Sequence, residues 1–304
     1  MKKNYSTIKN LNSNIPYYFD PNFNLSNLRN LNFGGLRKDG YFKAPIKNKP
    51  LFSIITVCLN SELTIEKTIL SVLEQTYDNV EFIVIDGKSK DNTVGIIKKY
   101  EKFIDFWLSE KDEGIFNAIN KGIKVSSGNI IGVLNSDDMY TKSALSLADK
   151  YFKKKIDFLF GSVEKERLLS GFNKKKINWK FNIFPAHSSG FFITKDAQTK
   201  VGLYDEEFKL HADYDLIYKL ICNLKLNGLA TKKNEVTGVF NVKGRSSEEK
   251  KLDYYLEEFK IRNKNKQNFL YICCLVLVKI AYHFLYQLKF FKLFSKYVKT
   301  KFDF

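Results

Sequence analysis

LFSIITVCLNSELTIEKTILSVLEQTYDNVEFIVIDG (51–87) begins with a β-rich apolar run, changes to a helical period, and ends in a second apolar run. LFSIITVCL lacks the alternation of a half-exposed strand, so it predicts a strand buried on both faces. Ser61-Glu62 then opens a helix with Ile65, Ile69, Val72 and Leu73 on one face. VEFIVI (80–85) predicts a second buried strand, closed by Asp86. A strand, a helix and a strand at this spacing form a crossover unit, which pairs its strands in parallel.

The pattern continues downstream. A Gly/Ser/Asp loop follows Asp86, then a helix from about Asp91. FIDFWL (103–108) predicts a third strand, Gly114 to Val125 a helix, and NIIGVL (129–134) a fourth strand ending at Asn135-Ser136-Asp137-Asp138. A helix from about 142 and the strand IDFLFG (156–161) complete the unit. The expected fold class is α/β, with a central, mostly parallel sheet flanked by helices. Asn60, Asp86, Asp112 and Asp137-Asp138 all fall just after strands, where open α/β sheets bind ligands.

The remainder is more mixed. Residues 160–200 read as strands and loops around a KKK run. Asp213 to Leu226 reads as a helix, Leu229 to Val242 as strand, and Ser246 to Asn263 as a charged helix. Residues 1–50, rich in Asn, Lys and Tyr, predict an irregular arm. The expected division is this arm, a catalytic unit over 51–242 with halves 51–161 and 162–242, and a basic tail over 243–304.

Adjacent carboxylates at a strand end, Asp137 and Asp138, suit a hard divalent cation, Mg²⁺ or Mn²⁺, that completes its shell with water and substrate phosphates. The same pair is also consistent with an N-cap for the helix near 142, or with a dyad sharing one proton. Asp86 points into the crevice, where a carboxylate accepts from a base N–H or a ribose hydroxyl.

An Asp after the second strand, then DEGIFNAINKG (112–122), then NSDD (135–138) resembles the family-2 glycosyltransferases of the GT-A fold. The likeness runs from about Phe52 to Val242, and the upstream GGLRKDGYFK (34–43) is similar to members that act on surface polysaccharides. The resemblance implies that Thr56 to Asn60 frame the nucleobase and that Asp86 reads it. Asp112, Asn120, Gly122 and Asp137 are implied to line the nucleotide-sugar site, and Asp138 to contact the metal. AHSSGFFITK (186–195) and HADYDL (211–216) resemble the family's acceptor-side segments. Asp213 matches the catalytic base and His187 a contact to acceptor, diphosphate or metal. Ala212 stands where many members carry Glu, and Asp215 is a competing base. The implied reaction is an inverting transfer of a sugar from a nucleotide-sugar, with UDP preferred, to a hydroxyl of a lipid-linked or surface glycan.

Composition agrees with that class. The formal net charge of +17 calls for a polyanionic partner. No zinc-finger spacing, aromatic RNA-binding motif or helix-turn-helix signal supports nucleic acid. A nucleotidyltransferase is disfavoured because no Gly-rich phosphate loop follows the first strand. The cysteines, Cys58, Cys222, Cys273 and Cys274, lack metal-ligand spacing and read as reduced thiols of a cytoplasmic protein. NFLYICCLVLV (268–278), IAYHFLYQL and FFKLFSKYVKTKF carry Lys279, Lys289, Lys292, Lys296 and Lys299 among aromatic and aliphatic residues. Those runs predict an interfacial amphipathic helix on the inner, anionic face of a bacterial plasma membrane, with packing on the core as the alternative.

Overall fold

The computed structural model describes residues 7–9, 32–43, 46, 48–172, 187–241 and 251–287. Short strands β1 (Thr7–Lys9), β2 (Asn32–Gly34) and β3 (Tyr41–Lys43) precede β4 (Phe52–Cys58), β5 (Val80–Asp86), β6 (Phe106–Ser109) and β7 (Ile130–Asn135). Helices α1 (Ile65–Leu73), α2 (Thr93–Lys99) and α3 (Ile115–Val125) connect the latter four in turn. The chain continues through β8 (Met139–Tyr140), α4 (Ala144–Phe152), β9 (Phe158–Phe160), β10 (Ser162–Glu164) and β11 (Leu168–Leu169). Then come β12 (Phe191–Thr194), α5 (Lys195–Val201), α6 (Ala212–Tyr218), β13 (Gly228–Ala230), β14 (Val236–Val239), α7 (Lys251–Lys264) and α8 (Phe269–Gln287).

The main sheet has the order β13-β9-β12-β7-β4-β5-β6-β2. Its centre is parallel: β4 lies between β5 and β7, and β6 follows β5. Antiparallel β12 and β2 make the sheet mixed. Every residue of β4 and β5 is buried, as uninterrupted apolar runs require. Ile55 and Val57 pack with α3 on one face, while Phe52, Ile54 and Cys58 pack with α1 and α4 on the other. A second sheet, β11-β10-β14-β8, adjoins the first, and the chain leaves one for the other between β7 and β8. Asp137 and Asp138 occupy that crossing point.

Three expectations shift. The third strand starts at Phe106 because residues 101–103 form a 3₁₀ turn. The helix expected over 213–226 is regular only to Tyr218 and continues as a π-helical turn over Lys219–Asn223. Leu229 to Val242 is two strands, β13 and β14, in different sheets. The KKK run lies outside the described residues.

The irregular arm is corrected over 32–43. Gly34 abuts the Trp107 and Glu101 side chains, and Gly35 takes φ 94°, a conformation that favours glycine. The chain then runs along the sheet edge, where Leu36 and Arg37 N–H donate to the Ile104 and Asp105 carbonyls at 3.0 and 2.9 Å. This path inserts two cations beneath the sheet: Arg37 pairs with Glu81, and Lys43 with Asp105 at 2.8 Å, all four side chains almost fully buried. Burial pushes the Glu81 carboxyl up, but Arg37 and the Ser127 and Ser53 donors outweigh it and hold the group below its ordinary range. The stability that Glu81 contributes is therefore present above its unfolded-state pKa and lost as pH falls through the lower folded value. Removing one partner strands a buried charge, so Arg37→Met should destabilise the protein by about 3–5 kcal/mol in denaturant unfolding. A variant as stable as wild type would contradict that role.

The described part of the tail departs from expectation at one residue, Lys279. α8 lies against α7 and buries Ile272, while Ile261 of α7 packs into the main core. Lys279, expected on a cationic outer face, is instead 3% exposed and paired with Glu258 of α7. No helix among the described residues is long and apolar enough to cross a membrane. Lys289, Lys292, Lys296 and Lys299 lie outside the described residues.

Candidate active site

Three clusters hold the candidate residues, two of them at the carboxyl ends of central strands and the third at the start of α6. The first surrounds Asp86, fully buried at the end of β5. Its carboxylate accepts from Ser89 N–H at 3.0 Å, from the Ser89 and Ser109 hydroxyls, the latter at 2.6 Å, and from the Cys58 thiol at 3.6 Å. Asn60 ties the two strand-end loops together: its N–H donates to Ser89 Oγ and its Oδ1 accepts from Lys90 N–H, both at 2.7 Å. Asn60 and Lys88 adopt φ 48° and 65°, strained values for non-glycine residues that mark both loops as constrained. Gly87 brings Asp112 into this cluster, since a Cβ there would collide with the Asp112 carboxylate. Asp86, Asn60 and Asp112 are thus brought together.

Thr56, Asn120 and Gly122 are placed differently. Thr56 is fully buried within β4, with its hydroxyl unpartnered. Asn120 is also buried. Its side chain exchanges two hydrogen bonds with the Tyr204 backbone, at 2.8 and 2.9 Å, and donates to Glu206 at 2.7 Å. Gly122 sits where a Cβ would strike Ile55. All three are thus enclosed by neighbouring protein groups, and α3 approaches β4 closely because residue 122 has no side chain. Within DEGIFNAINKG, Asp112 stands by the Asp86 cluster while Asn120 and Gly122 lie on the inner face of α3.

The second cluster is Asp137-Asp138 and His187. Asp138 is fully buried, anchored by Thr68 Oγ1 donating to its carbonyl at 2.8 Å and by Asn241 N–H donating to Oδ1 at 3.2 Å. Its other oxygen, Oδ2, has no hydrogen-bond partner and lies 3.4 Å from His187 Nδ1. Burial first, and the neighbouring Asp137 second, push the Asp138 pKa up to about 7. Burial also raises the Asp137 carboxyl. Burial, with a smaller repulsion from Lys165, lowers His187 to about 4, so the imidazole is neutral near neutral pH. Its Nδ1 accepts from Ser189 N–H at 3.5 Å. Asp138 Oδ2 and His187 Nδ1 are then two acceptors face to face, an arrangement that a proton or a cation between them relieves. An orphaned buried carboxylate oxygen opposite an imidazole nitrogen therefore fits a divalent ion. Among the described residues no group of three or more His, Cys, Asp or Glu side chains could hold a metal. Such an ion would therefore draw the rest of its shell from substrate and water.

Lys165 and Phe240 belong to this cluster but carry no motif. The Lys165 ammonium lies 4.3 Å from the Phe240 ring centre, and that ring lies 4.1 Å from the imidazole. Both come from the second sheet, through β10 and β14, whose pairing is not legible in local sequence.

The third cluster surrounds Asp213 in the first turn of α6. Burial raises its pKa, partly opposed by His211 and the Tyr214 N–H, which donates at 2.8 Å. Glu257 of α7 shapes this loop: it accepts from Leu210 N–H at 2.8 Å and from Lys209 N–H, and lies 3.4 Å from His211 Nδ1. Asp215, the competing base, is buried, paired with Lys219 at 2.6 Å and bonded to Asn265 at 2.7 Å.

The family model described as "Glycosyl transferase family 2" matches residues 53–208, ending just before Asp213. An uncharacterized glycosyltransferase of Mycobacterium tuberculosis is 30% identical over 186 residues, 57% of this chain and 70% of that protein. The Escherichia coli UDP-Glc:alpha-D-GlcNAc-diphosphoundecaprenol beta-1,3-glucosyltransferase WfgD is 36% identical over 116 residues, 38% of this chain and 46% of its own length. Among solved structures, Staphylococcus aureus TarS in complex with UDP superposes with a TM-score of 0.57 at 17% identity, covering 79% of this chain and 72% of that one. The mannosyltransferase PcManGT from Pyrobaculum calidifontis, in complex with GDP-Man and Mn²⁺, gives 0.58 at 14% identity, covering 75% and 70%. The architecture is that of the GT-A glycosyltransferases.

Proposed function

The chain belongs to glycosyl transferase family 2, and from that premise we propose that it moves a sugar from a UDP-sugar to a hydroxyl of a lipid-linked or surface glycan, with inversion. The observation that carries this reading is the orphaned Asp138 Oδ2 opposite neutral His187, beside the Asp86 cluster at the strand ends. Asp86, Asn60 and Asp112 are assigned to the nucleoside, and Asp137 to the ribose or the metal shell. Asp138 and His187 would hold Mg²⁺ or Mn²⁺, which when bound neutralises charge growing on a leaving diphosphate.

Asp213 accepts the proton of the acceptor hydroxyl. The resulting oxygen forms its bond to the anomeric carbon as the bond from that carbon to the diphosphate oxygen breaks, and the nucleoside diphosphate leaves. A single displacement inverts the anomeric centre. UDP is favoured because TarS was solved with it and WfgD is named for a UDP-linked donor, and the acceptor class follows WfgD's diphosphoundecaprenol.

Calorimetric titration of UDP-, GDP- and dTDP-sugars into the protein with Mn²⁺ tests the donor choice. The expected order has a UDP-sugar binding at least about tenfold more tightly, a difference of about 1.4 kcal/mol. Tightest binding of a GDP-sugar would overturn that choice without touching the reaction class.

A further inference from the structure

α8 buries its charge and exposes its apolar side. At 3.6 residues per turn, Leu270, Cys274, Leu277, Val278 and Ala281 fall within about 100° of arc, and Ile272 and Lys279 lie opposite them. The structure follows that division. Ile272 and Lys279 are buried against α7, whereas Leu270, Leu277 and Val278 are 74%, 65% and 57% exposed, and Cys274 and Ala281 are exposed with them. The stripe carries no charge and runs for about 17 Å along the helix. Scattered surface leucines need no explanation, but a contiguous apolar stripe marks a contact surface.

We propose that this stripe is the face by which the protein seats on an anionic lipid surface, lying in the plane of the bilayer rather than crossing it. Charge selects the occupant. The sequence after α8, LKFFKLFSKYVKTKFDF (288–304), sets five lysines and one aspartate among phenylalanines, and the whole chain carries +17. An apolar face followed in the sequence by basic, aromatic residues complements acyl chains beneath anionic headgroups. A second copy of the chain would instead bring two strongly cationic bodies together. The seat also has a reason to lie here, because α7, which α8 packs against, holds the loop before Asp213 through Glu257. The proposal rests on the lipid-linked acceptor only for its purpose, since its evidence is the surface itself.

The test is flotation of the full chain with vesicles of phosphatidylcholine alone or mixed with phosphatidylglycerol, without any nucleotide-sugar, so that its outcome is separate from activity. Wild type should float with the anionic vesicles. Leu277→Glu/Val278→Glu should lower the bound fraction at least about tenfold while keeping its melting temperature, because two apolar contacts become charges. Leu224→Glu, which changes an exposed leucine outside α8, should float like wild type. Equal flotation of the double variant, or no flotation of wild type, would overturn the proposal. Wild type that dimerises without lipid, and a double variant that does not, would assign the stripe to a second copy and overturn it as well.

Discussion

Asp138→Asn is expected to lower kcat/KM by about 10³-fold or more and to remove most of the response to divalent ion. The substitution keeps the shape of the side chain and the acceptor for Asn241 N–H, so the turn between the two sheets should survive. What it loses is the negative charge at Oδ2, opposite His187 Nδ1. Stabilising a leaving diphosphate through a held cation is worth several kcal/mol, and about 4 kcal/mol corresponds to three powers of ten. The variant also removes a buried charge that burial and Asp137 already disfavour. Its stability without ion should therefore equal or exceed that of wild type, so lost activity with an unchanged or higher melting temperature separates a chemical role from a structural one. Full activity in the variant would remove Asp138 from the metal site.

Asp213→Asn should cost about 10²–10⁴-fold in kcat, the usual worth of general-base assistance, with donor binding little changed. The amide keeps an oxygen for Tyr214 N–H, so α6 retains its start. Burial raises the Asp213 pKa, and His211 only partly offsets this. A base must be deprotonated to work, so kcat/KM should fall as pH drops, with the acid limb above the ordinary aspartate value. Glu257→Gln should move that limb, because Glu257 lies beside His211 and adds repulsion at Asp213. A flat profile across the acid range, or an Asp213→Asn variant with normal kcat, would point to another base.

How much of this was legible in the sequence depends on where the deciding contacts lie. β4, β5 and β7 are readable because strands buried on both faces leave continuous apolar runs, and the helices between them imply parallel pairing. Strand character over Leu229 to Val242 is legible, but its split into β13 and β14 and the pairing of β10 are not, since strands of three or four residues are defined by partners far along the chain: Ser162 pairs with Val236, and Gly228 with Phe158. β6 was placed three residues early for a similar reason. Asp105 is held by Lys43 from the segment read as an irregular arm, and local pattern does not record that pairing.

The site divides in the same way. Asp86, Asp112 and Asp138 follow strand ends, so position and motif together single them out as candidates. Asn120 and Gly122 share a motif with Asp112, but Asp112 precedes α3 while they lie on its inner face, where Asn120 bonds the Tyr204 backbone and Gly122 meets Ile55. Lys165 and Phe240 were missed because nothing local distinguishes a surface lysine or a strand-end phenylalanine; only the second sheet sets them beside His187. Lys279 misled because a lysine in an apolar helix reads as an outer-face charge, whereas Glu258 draws it inward.

The most direct test of the account is the release of free nucleoside diphosphate from UDP-, GDP- and dTDP-sugars by the full chain. It should be run with Mn²⁺, Mg²⁺ or chelator, and with or without lipid extract from bacterial cells. The account predicts release that requires the divalent ion, is fastest with a UDP-sugar and increases with the extract. No release from any donor under any of these conditions would contradict it.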